Sequence, residues 1–136
     1  MATRFDAVGD YAYRTSGTPN SVNYTFACWF RINTDRNALG AIAVFVNAAQ
    51  TAYHGLYLAS DGTTLRTTVT GNTVTVQALT AGTWYHLALV RSGNDNLVYV
   101  NGTLAGTHTV ASGATMTIMY LASNTATEWI NGDLAH

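Results

Sequence analysis

Apolar and polar residues alternate over short stretches of the chain, and turn-forming residues separate these stretches about every ten residues. Residues 22–33 (VNYTFACWFRIN) and 83–91 (TWYHLALVR) are the two longest of these stretches. Phe26, Cys28 and Phe30 fall on one side of the first stretch, as in a strand with one buried face. Ala27, Trp29 and Arg31 fall on the other side. The sequence shows no long pattern with the 3.6-residue period of a helix. The alternation therefore predicts an all-β chain of about eleven short strands.

Two tight hairpins are predicted in the second half of the chain. Asn101-Gly102 separates two apolar stretches within residues 97–110, and this dipeptide favours a two-residue turn because both positions tolerate a positive φ. Gly71-Asn72 has the same position within residues 65–77. Antiparallel strands joined in this way predict an antiparallel β-sandwich of two sheets.

Composition limits the class of protein and its partners. The chain of 136 residues, 48% of them apolar, has the size of one domain and can bury a core without disulfides. Its single cysteine, Cys28, cannot form an internal disulfide and is predicted to be a core residue. Six arginines, no lysine and a net charge of −1 argue against nucleic acid as a partner. Membrane insertion is not expected, since no apolar run approaches the roughly 18 residues of a membrane span.

Four blocks follow one another in a fixed order: residues 5–11 (FDAVGDY), 24–30 (YTFACWF), 82–102 (with GTWYHLALVR and LVYVNG) and 129–132 (WING). In this order they resemble the motifs of the laminin-G-like, concanavalin A-like jelly-roll family. The resemblance covers nearly the whole chain. It implies a single jelly-roll domain over residues 1–136.

The end of the sequence departs from the family pattern. In the family, the closing Asn-Gly is followed by an acidic pair and one more strand, whereas here Ala135 and His136 replace the acidic pair and the sequence stops. The resemblance therefore implies a domain that lacks its final strand. An incomplete sequence is the favoured explanation, and a strand donated by another chain is the alternative. If neither holds, a sheet edge is left bare and open to association.

Calcium is the one metal for which the sequence offers candidate ligands. Family members often hold calcium near the opening and closing motifs, so the resemblance implies that Asp6, Asp10 and Asp133 gather with turn carbonyls around the ion. The alternative is that Asp6 and Asp10 cap turns by accepting hydrogen bonds from local amides. The four histidines lack the short spacing of a zinc site.

Catalytic chemistry is not indicated, and we expect no enzyme. Glycoside hydrolases share the jelly-roll architecture, but hydrolysis needs two neighbouring carboxyl groups. Glu128 is the only glutamate, and no predicted strand carries two carboxylates at alternating positions. The serines lack the Gly-x-Ser-x-Gly motif of a nucleophile. His86 is interpreted as a strand histidine whose ring bonds a nearby group.

Five residues in or beside predicted loops are candidates for a sugar-binding platform: Tyr53, His54, Asp61, Asn124 and Trp129. Aromatic rings stack on the apolar faces of pyranoses, and amides and carboxylates fix the hydroxyl groups. The alternative is that these aromatic rings pack beneath loops.

Two classes of function remain open. We expect a non-catalytic recognition or adhesion module that binds glycan or protein surfaces outside the cell. The alternative is a structural subunit of a larger particle, such as a decoration or fibre protein on a virion surface, which forms a homo-oligomer or attaches to a particle shell. A fold that begins near Met1 without an export signal, the missing strand and the lack of lysine favour this alternative. The sequence does not identify a ligand.

Overall fold

A computed structural model describes residues 2–5, 12–14, 23–33, 39–111, 115–122 and 130–135. Every regular element in these residues is a strand, and none of them forms a helix of the length and apolarity needed to cross a membrane. The strands are β1 (Ala2–Phe5), β2 (Ala12–Arg14), β3 (Tyr24–Ile32), β4 (Gly40–Val46), β5 (Tyr53–Leu58), β6 (Thr64–Val69), β7 (Asn72–Ala78), β8 (Trp84–Ser92), β9 (Asp95–Val100), β10 (Thr103–Thr109), β11 (Ile118–Leu121) and β12 (Gly132–Ala135).

The described strands form two antiparallel sheets of six strands each. The first sheet has the order β1-β12-β3-β8-β9-β10, and the second has the order β2-β11-β4-β5-β6-β7. Neighbouring strands are antiparallel throughout both sheets. The two-sheet sandwich predicted from the alternation is confirmed.

The hydrophobic core lies between the sheets because alternate residues of the central strands point inward. In β3, Cys28, Phe30 and Ile32 are buried, whereas Trp29 between them is 48% exposed. Phe45 and other apolar side chains of the second sheet belong to the same core. The alternation and the core position of Cys28 are both confirmed. Burial raises the pKa of the Cys28 thiol to about 12, so this group stays protonated and unreactive.

The turn between β9 and β10 has the predicted geometry. Asn101 and Gly102 have φ angles of 51° and 81°, and Val100 on one side pairs with Thr103 on the other. Both central residues therefore adopt the left-handed conformation of a primed two-residue turn.

The other predicted hairpin turns one residue earlier than expected. Thr70 and Gly71 have φ angles of 42° and 86°, and Asn72 already pairs with Val69. Gly71 occupies the second turn position rather than the first. Thr70 therefore adopts a positive φ, which is unusual for a β-branched residue.

We expect Gly102→Val to lower the free energy of unfolding by about 1–3 kcal/mol, because a β-branched residue resists a positive φ. A Cβ at this position meets no atom within 4 Å, so the loss would come from the backbone rather than from a clash. Urea unfolding measures the change. Thr103→Val, at a regular and exposed strand position, is the control and should change stability by no more than about 0.5 kcal/mol. Equal stability of the two variants would contradict the role assigned to Gly102.

The closing motif forms a short strand in the first sheet. Gly132–Ala135 forms β12, which lies between β1 and β3 and pairs with both. Leu134 points into the core beside Phe30, so this short segment contributes an apolar side chain as well as backbone hydrogen bonds. β12 pairs with residues 29–32 of β3 and leaves residues 24–28 without a described partner on that side, so the predicted lack of a full final strand stays a prediction. The outer described strands of the first sheet are β1 and β10.

Candidate functional site

His54 does not belong to an exposed platform, contrary to the prediction. It lies in β5 rather than in a loop, and it is 1% exposed. Its Nδ1 atom is 3.1 Å from the hydroxyl oxygen of Tyr24 in the opposite sheet. Burial, together with the positive charge of Arg91, lowers the pKa of His54 to about 4. His54 is therefore a neutral interior residue at pH 7. Its neighbour Tyr53 points to the outer face of the second sheet, where it is partly exposed.

Asp61 caps the turn between β5 and β6. Its carboxylate accepts hydrogen bonds from the backbone nitrogens of Thr63 at 2.9 Å and Thr64 at 2.8 Å, and from the Thr64 hydroxyl at 2.5 Å. These bonds, led by that of the Thr64 hydroxyl, lower the pKa of Asp61 to about 2. Tyr53 and Asp61 flank opposite ends of β5, so the structure does not bring them together. Their contact with a sugar stays a prediction.

Four of the predicted site residues lie outside the described part of the chain. Asn124 and Trp129 belong to the predicted sugar platform, and Asp6 and Asp10 belong to the predicted calcium site. Their roles stay predictions.

Asp133, the remaining calcium candidate, has its carboxylate surrounded by positive and hydrogen-donating groups. Its Oδ2 atom accepts hydrogen bonds from Arg31 Nη2 at 2.5 Å and Nε at 3.2 Å. Its Oδ1 atom accepts from Asn33 Nδ2 at 3.2 Å and lies 3.6 Å from Arg4 Nε. Two guanidinium groups therefore occupy the position that a calcium ion would need, and Asp133 does not fit a calcium site. Within the described residues, no group of three or more potential metal ligands occurs.

A different group of side chains comes together on the outer surface of the first sheet. Asp133 of β12, Arg31 of β3 and Trp84 of β8 occupy one row of paired positions. Trp29 and His86 are paired in the next row. We call the surface formed by these five residues the tryptophan face.

The tryptophan face presents large apolar groups to solvent. Trp29 is 48% exposed although it lies in the middle of a central strand. Tyr99 and Leu104 extend the surface across β9 and β10, and Leu104 is 50% exposed. Trp29 and Leu104 are the only exposed large hydrophobic residues in the described part of the chain, and both lie on this side of one sheet. Exposed apolar side chains gathered on one side of a sheet are a candidate interaction site.

The side chains of the tryptophan face hold one another in place. The Arg31 guanidinium carbon lies 4.9 Å from the centre of the Trp84 ring, and the same guanidinium is anchored by Asp133. The Trp29 and His86 rings meet edge to face, with their centres 5.3 Å apart and their planes at 63°. The two indoles are therefore pre-arranged, which reduces the entropy lost on binding.

The carboxylate of this surface is held in its ionised form. Burial alone would raise the pKa of Asp133, but hydrogen bonds from Arg31 and Asn33 and the charges of Arg31 and Arg4 outweigh it and lower the pKa. Asp133 is itself buried, and it fixes the partly exposed Arg31 guanidinium beside the aromatic rings. This combination suits a ligand that has both apolar faces and hydroxyl groups.

Sequence reasoning placed Trp29 and Arg31 opposite the buried residues of β3 but did not identify the surface they form. An exposed tryptophan in a long central strand was the available signal. Its partners in β8 and β12 are distant in sequence, and Arg31 and Asp133 are 102 residues apart. Only the register between strands shows that these side chains are neighbours.

Solved structures of other proteins share this fold. Trypanosoma rangeli sialidase in complex with the inhibitor DANA matches with a TM-score of 0.79 and 19% identity, over 98% of this chain and 24% of the sialidase chain. Domains LG4-5 of the mouse laminin α1 chain match with a TM-score of 0.71 and 16% identity, over 98% of this chain and 40% of that one. The carbohydrate-binding module CBM66 from Bacillus subtilis matches with a TM-score of 0.63 and 12% identity, over 98% of this chain and 81% of the module.

The chain thus spans less than half of the laminin and sialidase chains, and identities this low show the fold alone. A search of curated proteins gave no match. The Laminin_G_3 family model, described as the concanavalin A-like lectin/glucanases superfamily, matches residues 6–136. This match agrees with the jelly-roll resemblance of the four sequence blocks. The chain belongs to the concanavalin A-like lectin/glucanases superfamily.

Proposed function

We propose that this chain is a non-catalytic recognition module that binds glycan through the tryptophan face. The observation that carries the proposal is the half-exposed Trp29 ring, braced by His86 beside the Arg31–Trp84 stack. The exposed half of the Trp29 ring is not buried by folding of the domain. Burial of this apolar surface against a ligand would therefore contribute to the free energy of binding.

The chemistry of the tryptophan face favours a sugar over a purely apolar partner. A pyranose ring offers an apolar face to Trp29 and hydroxyl groups to the polar side chains around it. Arg31 is partly exposed and is held by its hydrogen bonds to the buried Asp133, so its guanidinium can engage hydroxyls without first becoming ordered. A protein surface is the other partner class we expected, and it is the alternative ligand for the same residues.

The absence of catalysis is part of the proposal. Asp133 is the only carboxylate among the residues that form the tryptophan face, whereas glycoside hydrolysis needs two. Its lowered pKa also makes it a poor general acid at neutral pH. The fold neighbours include both a sialidase and a carbohydrate-binding module, so fold likeness does not decide between catalysis and binding.

The matched proteins bear on the alternatives as well. A putative carbohydrate-binding protein from Bacteroides ovatus matches with a TM-score of 0.67 and 16% identity, over 91% of this chain and 39% of that one. Together with the laminin domains and the bacterial module, it supports a recognition module that acts outside the cell. These neighbours lend no support to a subunit of a virion or other particle.

A glycan array followed by calorimetry with the best-retained oligosaccharide tests the proposal. We expect Trp29→Ala to weaken binding at least about tenfold, because a stacked tryptophan typically dominates the free energy of such contacts. Tyr53→Ala is the matched control, since it removes an aromatic ring from the surface predicted from sequence. The melting temperature of each variant shows whether the fold is intact.

Three results would contradict the proposal. Unchanged glycan affinity of Trp29→Ala would exclude the tryptophan face as the binding site. Loss of binding in Tyr53→Ala alone would place the site on the second sheet. If the wild-type chain retained no glycan on the array, a sugar would be excluded as the ligand.

A further inference from the structure

A row of buried polar side chains crosses the inner surface of the first sheet. Tyr24 of β3, Arg91 of β8, Asn96 of β9 and His108 of β10 occupy paired positions on neighbouring strands. Arg91, Asn96 and His108 are 1%, 0% and 6% exposed. His54 of the second sheet joins the row through its contact with the Tyr24 hydroxyl. This polar row lies on the opposite side of the sheet from the tryptophan face.

Three nitrogen atoms of the polar row lack hydrogen-bond partners among the described residues, and all three can act as donors. Arg91 Nη1 donates to the Asn94 carbonyl at 3.0 Å and to Asn96 Oδ1 at 3.2 Å, and Nη2 donates to the Val110 carbonyl at 2.9 Å. Arg91 Nε, Asn96 Nδ2 and His108 Nδ1 are buried and have no hydrogen-bond partner among the described residues. The first two can only donate, and the third donates in one of the two neutral tautomers. Three donors without an acceptor on neighbouring strands are uncommon in a protein interior.

The polar row also contains a positive charge that forms no salt bridge with any described residue. Among the described residues, Arg91 forms no salt bridge and makes its hydrogen bonds with neutral acceptors. Asp95 lies nearby but points to the outer surface of β9, where it accepts a hydrogen bond from the Thr109 hydroxyl at 2.6 Å. Burial raises the pKa of Tyr24 and lowers that of His54, so both are neutral at pH 7. Burial lowers the pKa of Arg91, and the charge of Asp95 raises it by less, but no described anion contacts the guanidinium. A buried cation that no anion contacts is costly.

We propose that the polar row binds a monovalent anion of the size of chloride, which accepts hydrogen bonds from Arg91 Nε, Asn96 Nδ2 and His108 Nδ1. Such an ion supplies both the missing acceptor and the missing negative charge. A water molecule would accept hydrogen bonds but leave the charge of Arg91 unbalanced, and a metal cation would be repelled by it. The proposal is independent of glycan binding, because the two sites lie on opposite sides of the first sheet.

Thermal unfolding of the full chain in mixtures of sodium chloride and sodium gluconate at constant ionic strength tests this proposal. Constant ionic strength removes the general screening effect of salt. We expect the melting temperature to rise with chloride and to level off, by about 3–6 °C once chloride exceeds its Kd tenfold. A melting temperature that does not depend on chloride would overturn the proposal.

A pair of asparagine variants locates the effect. Asn96→Ala removes two donors of the polar row while retaining the charge of Arg91, and we expect the chloride concentration at half-effect to rise about tenfold. Asn72→Ala, at the exposed start of β7, should leave it unchanged. An equal response of both variants would overturn the assignment.

A crystal of the wild-type chain soaked in sodium bromide gives a test that needs no variant. We expect an anomalous peak within hydrogen-bonding distance of Arg91 Nε. Bromide found only on the surface, or a water molecule refined at this position, would overturn the proposal.

Discussion

Phe30→Ala is expected to lower the free energy of unfolding by about 3–5 kcal/mol and the melting temperature by about 10–20 °C. Phe30 is fully buried in the shared core, and its ring lies against Gly132 of β12, where an added Cβ would come within 2.9 Å of it. Truncation would therefore leave a cavity between β3 and β12. Urea unfolding and a thermal melt measure the two changes.

Trp29→Ala is the matched control for this experiment. Trp29 is adjacent in sequence and has an even larger ring, but it points outward and contacts His86 only edge to face. We expect it to lose less than about 1 kcal/mol. A similar loss for Trp29→Ala and Phe30→Ala would contradict the assignment of inner and outer faces in β3.

Asp133→Ala is expected to lower the free energy of unfolding by about 2–3 kcal/mol at pH 7, because it leaves Arg31 and Asn33 without their buried acceptor. The pKa of Asp133 is lower in the folded than in the unfolded chain. Its contribution is therefore fully present above the unfolded value of about 4 and disappears as the pH falls towards the folded value. We expect the difference between wild type and variant to shrink below about pH 4.

Urea unfolding at several pH values measures this difference. Combining Asp133→Ala with Arg31→Ala should cost less than the sum of the two single losses, since both remove the same hydrogen bonds. A difference that is the same at pH 3 and pH 7, or strictly additive losses, would show that the ion pair contributes nothing.

Local patterns were sufficient for most of the fold. The alternation within β3 predicted which of its residues face the core, and Asn101-Gly102 predicted its hairpin to the residue. The turn at Thr70 was displaced by one position because a glycine can occupy either half of a primed turn.

Tyr53 and His54 were predicted in or beside a loop, whereas they begin β5. Gly55 follows them inside the sheet, where an added Cβ would come within 2.7 Å of the Ala43 carbonyl oxygen and 2.9 Å of the Tyr57 ring. A sequence alone does not distinguish a glycine required for close packing in a strand from a glycine required for a turn.

The candidate site was less accessible to sequence reasoning than the fold. Asp133 is held by Arg31, and Trp29 is held by His86. The two residues of each pair are distant in sequence and become neighbours only through the register between their strands. The resemblance to the superfamily implied calcium ligation for Asp133, whereas the guanidinium groups beside it were not predicted. Pairs so distant in sequence are the part of a site that a single sequence specifies least.

The strand order has a consequence for how this chain reaches its native state during synthesis. Among the described strands, β1 pairs only with β12, and β2 pairs only with β11. These first two strands of the domain therefore find their partners last, after nearly the whole domain has emerged. Until then their backbone groups are available to any other strand, so a crowded polysome is where this domain is most exposed to mispairing.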